Sequence, residues 1–176
     1  MAALIAGCCG GIVKVGKPYA DQWPASVASP PTVAGLVQVK DAKRSTRAKT
    51  LLNKINSWFD QDAFTVLYAD SADRRRLTTA IGVTRFIASP GSSIDDAFTA
   101  IGPSLAISDQ HPVDAGATGA QARCGSGRVD GQRVIACGWA DHGSLVVALF
   151  TNRSEAESAA MTRTMRKTLI KRRSAS

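Results

Sequence analysis

Apolar and polar positions alternate in several short segments of the chain, which is the two-residue period of half-buried β-strands. The segment 144–151 is instead almost entirely apolar, and this predicts a central strand buried on both faces. The segment 105–119, with few apolar residues in any period, is expected to be loop-rich. Together the patterns predict strands at 33–39, 63–68, 77–88, 120–128, 132–139 and 144–151.

A three- and four-residue spacing of apolar side chains predicts a helix at 41–59. Its opposite face is basic, so one side of this helix is expected to pack on the sheet and the other to face solvent. The apolar stripe consists of Ala48, Leu51, Leu52, Ile55 and Phe59.

Two further helices are predicted by their end signals. Ser92 or Ser93 is expected to cap a short helix, and the Gly-Pro pair at 102–103 is expected to end it. Ser154 and the glutamate three residues later form a capping box, in which each side chain bonds the other's backbone amide. The helix that follows is predicted to run to about Arg172, with its methionines inward.

The order of these elements predicts an α+β fold, an antiparallel sheet of about five to six strands with helices packed on it. We interpret residues 41–173 as this single domain and residues 17–40 as a proline-rich docking arm with the first strand. Tyr19 and Trp23 are expected to dock the arm by their rings. Residues 1–16 form an apolar leader.

Cys124 and Cys137 are predicted to face each other across a β-hairpin. Asp130-Gly131 is a strong two-residue turn signal, because a type I′ turn needs positive φ at both positions. Pairing outward from the turn places the cysteines on a non-hydrogen-bonded pair, with Cα atoms about 4.5 Å apart. A disulfide accepts that spacing, and disulfides are typical of compartments outside the cytosol. The alternative is two reduced cysteines packed in a cytosolic core.

The leader contains no charge from Met1 to Val13. As a helix this stretch would span about 20 Å, less than the roughly 30 Å of a bilayer's hydrocarbon core. Ile5-Ala6-Gly7-Cys8 resembles a bacterial lipobox, in which Cys8 would be lipidated. We interpret the leader as the end of an export signal or membrane anchor that starts upstream. The alternative is a short disordered leader on a soluble protein.

The positive charge of the chain is concentrated near its C-terminus. The net charge of the 176 residues is +8, and six positive side chains lie within residues 163–173. Arg163, Arg166 and Lys167 are therefore candidate binding residues for an anionic surface. The alternative is a solvated helix face. Aromatic residues make up 6% of the chain, so a nucleic-acid partner that stacks on rings is not expected.

Several different short motifs are spread along most of residues 17–173. They are Tyr19-Ala20-Asp21-Gln22-x-Pro24, Val33-Ala34-Gly35-Leu36, Tyr68-Ala69-Asp70, Cys124-Gly125, Cys137-x-Trp139-Ala140-Asp141-His142-Gly143-Ser144, and Phe150 with Arg153-Ser154-x-x-Glu157. Together they resemble a group of uncharacterised actinobacterial proteins. The resemblance implies a single-pass membrane or secreted protein with one extracytoplasmic domain, and it implies no catalytic residue.

Asp141, His142 and Ser144 have the side chains of a hydrolytic triad. A triad needs the base bonded to both nucleophile and carboxylate, which residues this close on one turn rarely achieve. The G-x-S-x-G nucleophile elbow is also absent from the sequence. We therefore expect Asp141 to accept the turn amides, His142 to lie at the tip, and Gly143 to take a positive φ. Trp139, Asp141 and His142 remain candidate binding residues.

A metal site would require distant residues to meet. His111, Asp109 and Asp114 would reach the Asp141 turn if the 105–119 segment folded over it. The four cysteines lack the C-x2-C spacing of zinc sites. No resident metal and no cofactor are therefore expected.

These observations predict a non-enzymatic domain on the extracytoplasmic side of the cell membrane, or secreted, that binds an envelope protein or an anionic surface. A membrane contact would be made through the N-terminus. One alternative is an envelope hydrolase that uses the Asp141–Ser144 turn. Another is a nucleic-acid binder that uses the basic C-terminal helix.

Overall fold

The computed structural model describes residues 18–40 and 63–172. The leader with Cys8, and the predicted helix at 41–59, lie outside the described residues. A short helical turn covers residues 18–22. The strands that follow are β1 (Ala25–Val27), β2 (Thr32–Val33), β3 (Leu36–Gln38), β4 (Phe64–Asp70), β5 (Leu77–Val83), β6 (Ser108–Val113), β7 (Gln121–Val129), β8 (Gln132–Asp141), β9 (Ser144–Thr151) and β10 (Ile170–Arg172). The longer helices are α1 (Pro90–Leu105) and α2 (Glu155–Leu169).

Eight strands form one antiparallel sheet in the order β2-β3-β4-β5-β9-β8-β7-β6. Strands β1 and β10 pair separately, so the segment after the helical turn is joined to the end of the described chain. The α+β class and the antiparallel sheet are confirmed. The sheet is larger than the predicted five to six strands, for two local reasons.

The first reason is a turn inside the predicted strand 33–39. Ala34 and Gly35 have φ angles of 51° and 77°, so they turn the chain back instead of extending it. Val33 then pairs with Leu36, and one predicted strand becomes the β2–β3 hairpin.

The second reason is β6, which lies in the segment predicted to be loop-rich. Its residues are almost all exposed, so no alternation of apolar side chains marks it in the sequence. The strand lies at the edge of the sheet, the position where a proline such as Pro112 is tolerated because one side of the strand has no partner. Its pairing with β7 shifts between Ser108 and His111, and this irregularity protects the edge from further pairing.

Strand β9 is buried on both faces, as its apolar sequence predicts. Leu145, Val147 and Leu149 lie in the core cluster that includes the apolar face of α1. The alternate residues of β9 lie in a second cluster that includes Met165 and Leu169 of α2. The two helices therefore cover opposite faces of the sheet.

The predicted hairpin is confirmed residue for residue. Asp130 and Gly131 have φ angles of 49° and 80°, and the pairing runs outward until Cys124 faces Cys137. The two cysteines form a disulfide with a Cα–Cα distance of 4.1 Å, and both are completely buried. The staple therefore lies inside the core that β7 and β8 share with α2.

Both predicted ends of α1 are wrong. The helix starts at Pro90, because a proline suits the first helical position, and Ser89 stands before it as the cap residue. It also continues past Gly102-Pro103 to Leu105, and Ala106 then takes the left-handed conformation with φ 46°. The proline is tolerated there because the carbonyl that it leaves without a donor belongs to an exposed turn of the helix.

Helix α2 begins with the predicted capping box of Ser154 and Glu157. It ends at Leu169 and not near Arg172, because Ile170 is extended and pairs with Val27 of β1. Residue 172 is thereby held on a strand beside the end of the helix, and this placement matters for the site below.

Candidate functional site

The turn between β8 and β9 is organised by the carboxylate of Asp141. Its Oδ1 accepts hydrogen bonds from the Gly143 amide at 2.9 Å and from the Ser144 hydroxyl at 3.0 Å. The prediction that Asp141 accepts a turn amide is confirmed. The residue is completely buried, so this carboxylate is part of the interior and not of the surface.

Two arginines share the other oxygen of that carboxylate. Arg166 of α2 donates from Nε to Oδ2 of Asp141 at 2.9 Å. Arg172 of β10 donates from Nη2 to the same oxygen. The Arg166 side chain is 5% exposed and that of Arg172 is 22% exposed. Buried charges require partners, and here two cations share one anion.

The burial of this group of charges is reflected in the pKa of Arg166. Burial lowers the pKa of its guanidinium below the ordinary value, and the neighbouring charge of Arg172 lowers it further. Asp141 acts in the opposite direction, because its charge and its hydrogen bond favour the protonated form. An arginine stays protonated in proteins, so the lowered pKa means that the charge of Arg166 lies in an unfavourable electrostatic environment.

Trp139 is completely buried. Its Nε1 donates to the Ser144 hydroxyl at 3.1 Å, and that hydroxyl donates to Asp141. A chain of hydrogen bonds therefore runs from the indole to the carboxylate. The structure places this predicted binding residue in the core, where it orients the Asp141 turn.

His142 lies at the tip of the turn, as predicted, because Asp141 pairs with Ser144 and leaves His142 and Gly143 as the two turn residues. This tip is buried, however, and does not face solvent. The residue is 6% exposed, because residues 18–27 lie across the turn. From here on, 'the arm' means this part of the predicted docking arm. The ring of Tyr19 stacks on the imidazole with centroids 3.7 Å apart, and the side chain of Gln22 accepts the His142 amide at 2.9 Å. Nδ1 of His142 lies 2.8 Å from the Ile87 carbonyl. A carbonyl only accepts, so Nδ1 carries the proton.

Gly143 is required for a different reason from the predicted one. Its φ is not in the positive range that favours glycine. Instead, a Cβ at this position would collide with the backbone carbonyl of Gln22 and lie 2.8 Å from the Cβ of Ala25. The absent side chain lets the arm approach the turn.

An open pocket of about 450 Å³ lies between the arm and the body of the domain. Gln22 joins the two walls, since its side chain donates to the Thr118 carbonyl at 2.7 Å. Arg166 and Arg172 contribute to its lining, so we call it the arginine pocket. It is lined by Pro18, Asp21, Gln22, Ala117, Thr118, Arg166 and Arg172.

The predicted basic surface of the last helix is divided by the fold. Arg163 pairs with Asp114 at 3.0 Å on the surface, and Lys167 is exposed. Arg166 points inward to Asp141. The reason is the helical period, which places residues 162, 165, 166 and 169 on the buried face of α2.

The residues proposed for a metal site have other partners. The Asp114 carboxylate binds Arg163, and the pKa of Asp114 is lowered first by the Gly116 amide and then by nearby positive charges. Nε2 of His111 lies 2.9 Å from Glu155. Within residues 18–40 and 63–172 no group of three metal-binding side chains comes together.

The structure also separates the members of the proposed triad. Ser144 is bonded to Asp141 and Trp139, whereas the imidazole of His142 faces Tyr19 and the Ile87 carbonyl. In the part of the chain that the structure describes, no hydrogen bond joins the imidazole to the Ser144 hydroxyl. The three side chains serve the packing of the turn and the arm.

Sequence reasoning missed Gln22, Thr118 and Arg172 as members of the site. Gln22 and Thr118 give no chemical signal of their own, because an amide and a backbone carbonyl occur everywhere. Arg172 belonged to the basic C-terminal run, but its placement depends on the pairing of β10 with β1. The available clue was Asp141, an acidic residue at the end of the otherwise apolar second half of β8, because a buried carboxylate there would need a cationic partner.

No protein-family model and no curated protein matches this chain. In the described ranges no helix is both long enough and apolar enough to cross a membrane.

Proposed function

We propose that this chain is a non-enzymatic, extracytoplasmic binding domain, exported or membrane-tethered, that binds a partner or a surface at the cell envelope. The observation that carries the proposal is the arginine pocket, where Arg166 and Arg172 share one buried carboxylate beneath an open cleft. Fixed cations at the base of a cleft recognise an anionic group without a chemical step.

The disulfide supports the extracytoplasmic side of the proposal. Structural disulfides persist in oxidising compartments, and this one lies in the core between β7 and β8. The apolar sequence of residues 1–16 and the resemblance to exported actinobacterial proteins point in the same direction. Three residues that line the arginine pocket, Pro18, Asp21 and Gln22, follow that leader closely in the sequence.

The burial and the contacts of the polar residues at the turn favour binding over catalysis. A nucleophile and a base must meet at a place that substrate can reach. Asp141 and Ser144 are completely buried and His142 is 6% exposed. The three residues instead hold the turn against which the arm rests.

Neither alternative gains a supporting observation from the fold. A hydrolase at the Asp141 turn would lose its activity in a His142→Ala variant, when tested against ester and glycan substrates. A nucleic-acid binder would bind duplex DNA with an affinity that falls steeply as salt rises. Activity in the first assay, or such binding in the second, would replace the proposal.

The binding site is tested by photocrosslinking of the full chain in the cells that produce it. A photoreactive amino acid replaces Thr118 at the rim of the pocket, and the matched control replaces Gln132, which is also exposed. Gln132 lies at the opposite end of β8 from Asp141, about 30 Å from it at the rise of a strand. We expect an adduct with an envelope component from position 118 and none from position 132.

The compartment is tested by the mass of the intact protein from the same cells, before and after reduction. A mass gain of two hydrogens on reduction, with the protein recovered outside the cytosol, supports the proposal. Adducts formed only with cytosolic components, or equal adducts from both positions, would refute it.

A further inference from the structure

We infer that the arginine pocket binds a carboxylate group of its ligand. This ligand class rests on the proposed function, since it names the chemistry that the same site would recognise. Arg166 and Arg172 bring two positive charges to a floor where Asp141 supplies one negative charge. A ligand with one negative charge would balance this group of ionised side chains.

The balance matters because the group is held away from water. Asp141 is completely buried and the Arg166 side chain is 5% exposed. Charges removed from water lose their hydration, and only a partner charge with good hydrogen bonds compensates them. The lowered pKa of Arg166 has the same origin, namely burial and the charge of Arg172. A bound anion would offset the repulsion between the two arginines.

The arginines also have hydrogen-bond donors to spare. A guanidinium carries five N–H donors. Among residues 18–40 and 63–172, Asp141 is the hydrogen-bond acceptor of the Arg166 and Arg172 side chains, through one nitrogen of each. Nε of Arg172 is buried and has no acceptor among these residues. Both side chains line the pocket, so further donors lie where a ligand can meet them.

The form of the site suits a carboxylate. The arginines already hold the carboxylate of Asp141, and a guanidinium matches the planar, two-oxygen edge of that group. A doubly charged phosphate would exceed the single charge to be balanced. Asp21, which lines the pocket and is exposed at its rim, repels any anion there, but it repels a doubly charged phosphate about twice as strongly as a carboxylate.

The pocket has room for more than the carboxylate itself. Its volume of about 450 Å³ lies within the range of small-molecule sites, roughly 300–1,000 Å³. Gln22 fixes the distance between the walls through its bonds to the Thr118 carbonyl and the His142 amide. The site is therefore preformed, and the carboxylate would be the anchoring end of a longer molecule or of a polymer.

The first test titrates the full-length protein with sodium acetate, at constant ionic strength made up with sodium chloride. Acetamide is the neutral control of nearly the same shape, and inorganic phosphate and dimethyl phosphate are the competing anions. A ligand that binds the native state raises the melting temperature. We expect acetate at saturation to raise it by about 3 °C and to shift the Arg166 Nε–H resonance. Acetamide is expected to do neither.

A second test places the carboxylate in the protein itself. Ala117 is exposed and lines the pocket, so Ala117→Glu would supply a tethered anion, and Ala117→Gln is the matched neutral control. We expect the glutamate variant to melt about 3 °C above the glutamine variant and to lose its response to acetate. The glutamine variant is expected to keep the response.

The outcomes separate the ligand class from the proposed function. If neither acetate nor the Ala117→Glu change has any effect, or if either phosphate probe binds more tightly than acetate, the carboxylate assignment is wrong. The crosslink from position 118 would still report a binding domain in that case. Response to acetate without any envelope adduct would keep the carboxylate site and refute the proposed function.

Discussion

Arg166 Nε lies 2.9 Å from Asp141 Oδ2, and this ion pair is almost completely excluded from water. The two residues are 25 positions apart in the chain and belong to different elements, Asp141 to the end of β8 and Arg166 to α2. Their contact fixes the helix over the turn that carries His142. Arg172 adds a second cation to the same oxygen.

Replacing Asp141 with asparagine would remove the only negative charge of this buried group among the described residues. Arg166 and Arg172 would then face each other without compensation, at similar side-chain volume. Removing one partner of a buried ion pair destabilises a protein by about 3–5 kcal/mol. We expect a loss of that size in the free energy of unfolding, measured by urea denaturation.

The matched control for that variant is Asp114→Asn. Asp114 also pairs with an arginine of α2, but its side chain is 71% exposed. A pair at the surface contributes only about 0–1 kcal/mol. Equal losses in the two variants would show that the buried group has no special role.

Gly143→Ala tests the contact between the arm and the turn. The new Cβ would collide with the Gln22 carbonyl, a backbone atom that cannot rotate away. Overpacking of this kind costs about 1–3 kcal/mol. We expect a lower melting temperature and a more exposed Trp23, measured by acrylamide quenching. The chain has three tryptophans, of which Trp139 is buried, so the measurement uses a Trp58→Phe background to isolate the signal of Trp23. Unchanged quenching of Trp23 would mean that the arm does not depend on this close approach.

Gly91→Ala is the control for the glycine at 143. Gly91 lies in the first turn of α1, and the nearest atom to a Cβ there is 3.9 Å away, in the side chain of Gln121. Alanine is the better helix former, by about 0.5–1 kcal/mol. We therefore expect this variant to be at least as stable as the natural protein.

Loss of the disulfide is expected to lower stability without changing the pairing of β7 and β8. Cys124 and Cys137 are 13 positions apart, and closing a loop of this size stabilises a protein by about 3 kcal/mol on the chain-entropy estimate. The hairpin keeps its register because the Asp130-Gly131 turn sets it. Urea unfolding of the double Cys→Ala variant measures the loss, in a background where Cys8 and Cys9 are serine.

Reduction of the natural protein provides the independent check on the disulfide. Added reductant should lower its stability toward that of the double variant and leave the variant itself unchanged. An unfolding curve that reductant does not move, in protein shown by mass to be reduced, would contradict the prediction.

The parts of the fold that short-range chemistry determines were predictable from the sequence. The 130–131 turn needs positive φ at adjacent positions, so it sets the pairing that joins Cys124 to Cys137. The capping box at Ser154 is likewise complete within four residues. The apolar composition of β9 is enough to predict that both of its faces are buried.

The candidate site depends on contacts between distant segments, and these were not predictable. The basic spacing of α2 is equally compatible with a solvated face, and only the packing on β8 turns Arg166 inward. Likewise His142 is polar and follows a strand, which favours an exposed tip. Its burial comes from Tyr19 and Gln22, more than a hundred positions earlier.

Glu157 is expected to make the fold sensitive to acid. The Ser154 amide, at 3.0 Å, and the Arg76 guanidinium, at 2.7 Å, hold the pKa of its carboxyl at about 2, below its usual value of 4.5. A lowered folded-state pKa means that the stabilisation is complete above pH 4.5 and is lost as the pH falls toward 2. We expect Glu157→Gln to flatten the fall in melting temperature across this window, whereas Asp96→Asn, an exposed change on α1, should preserve it. Parallel pH profiles for the natural protein and Glu157→Gln would show that the capping box does not carry the acid response.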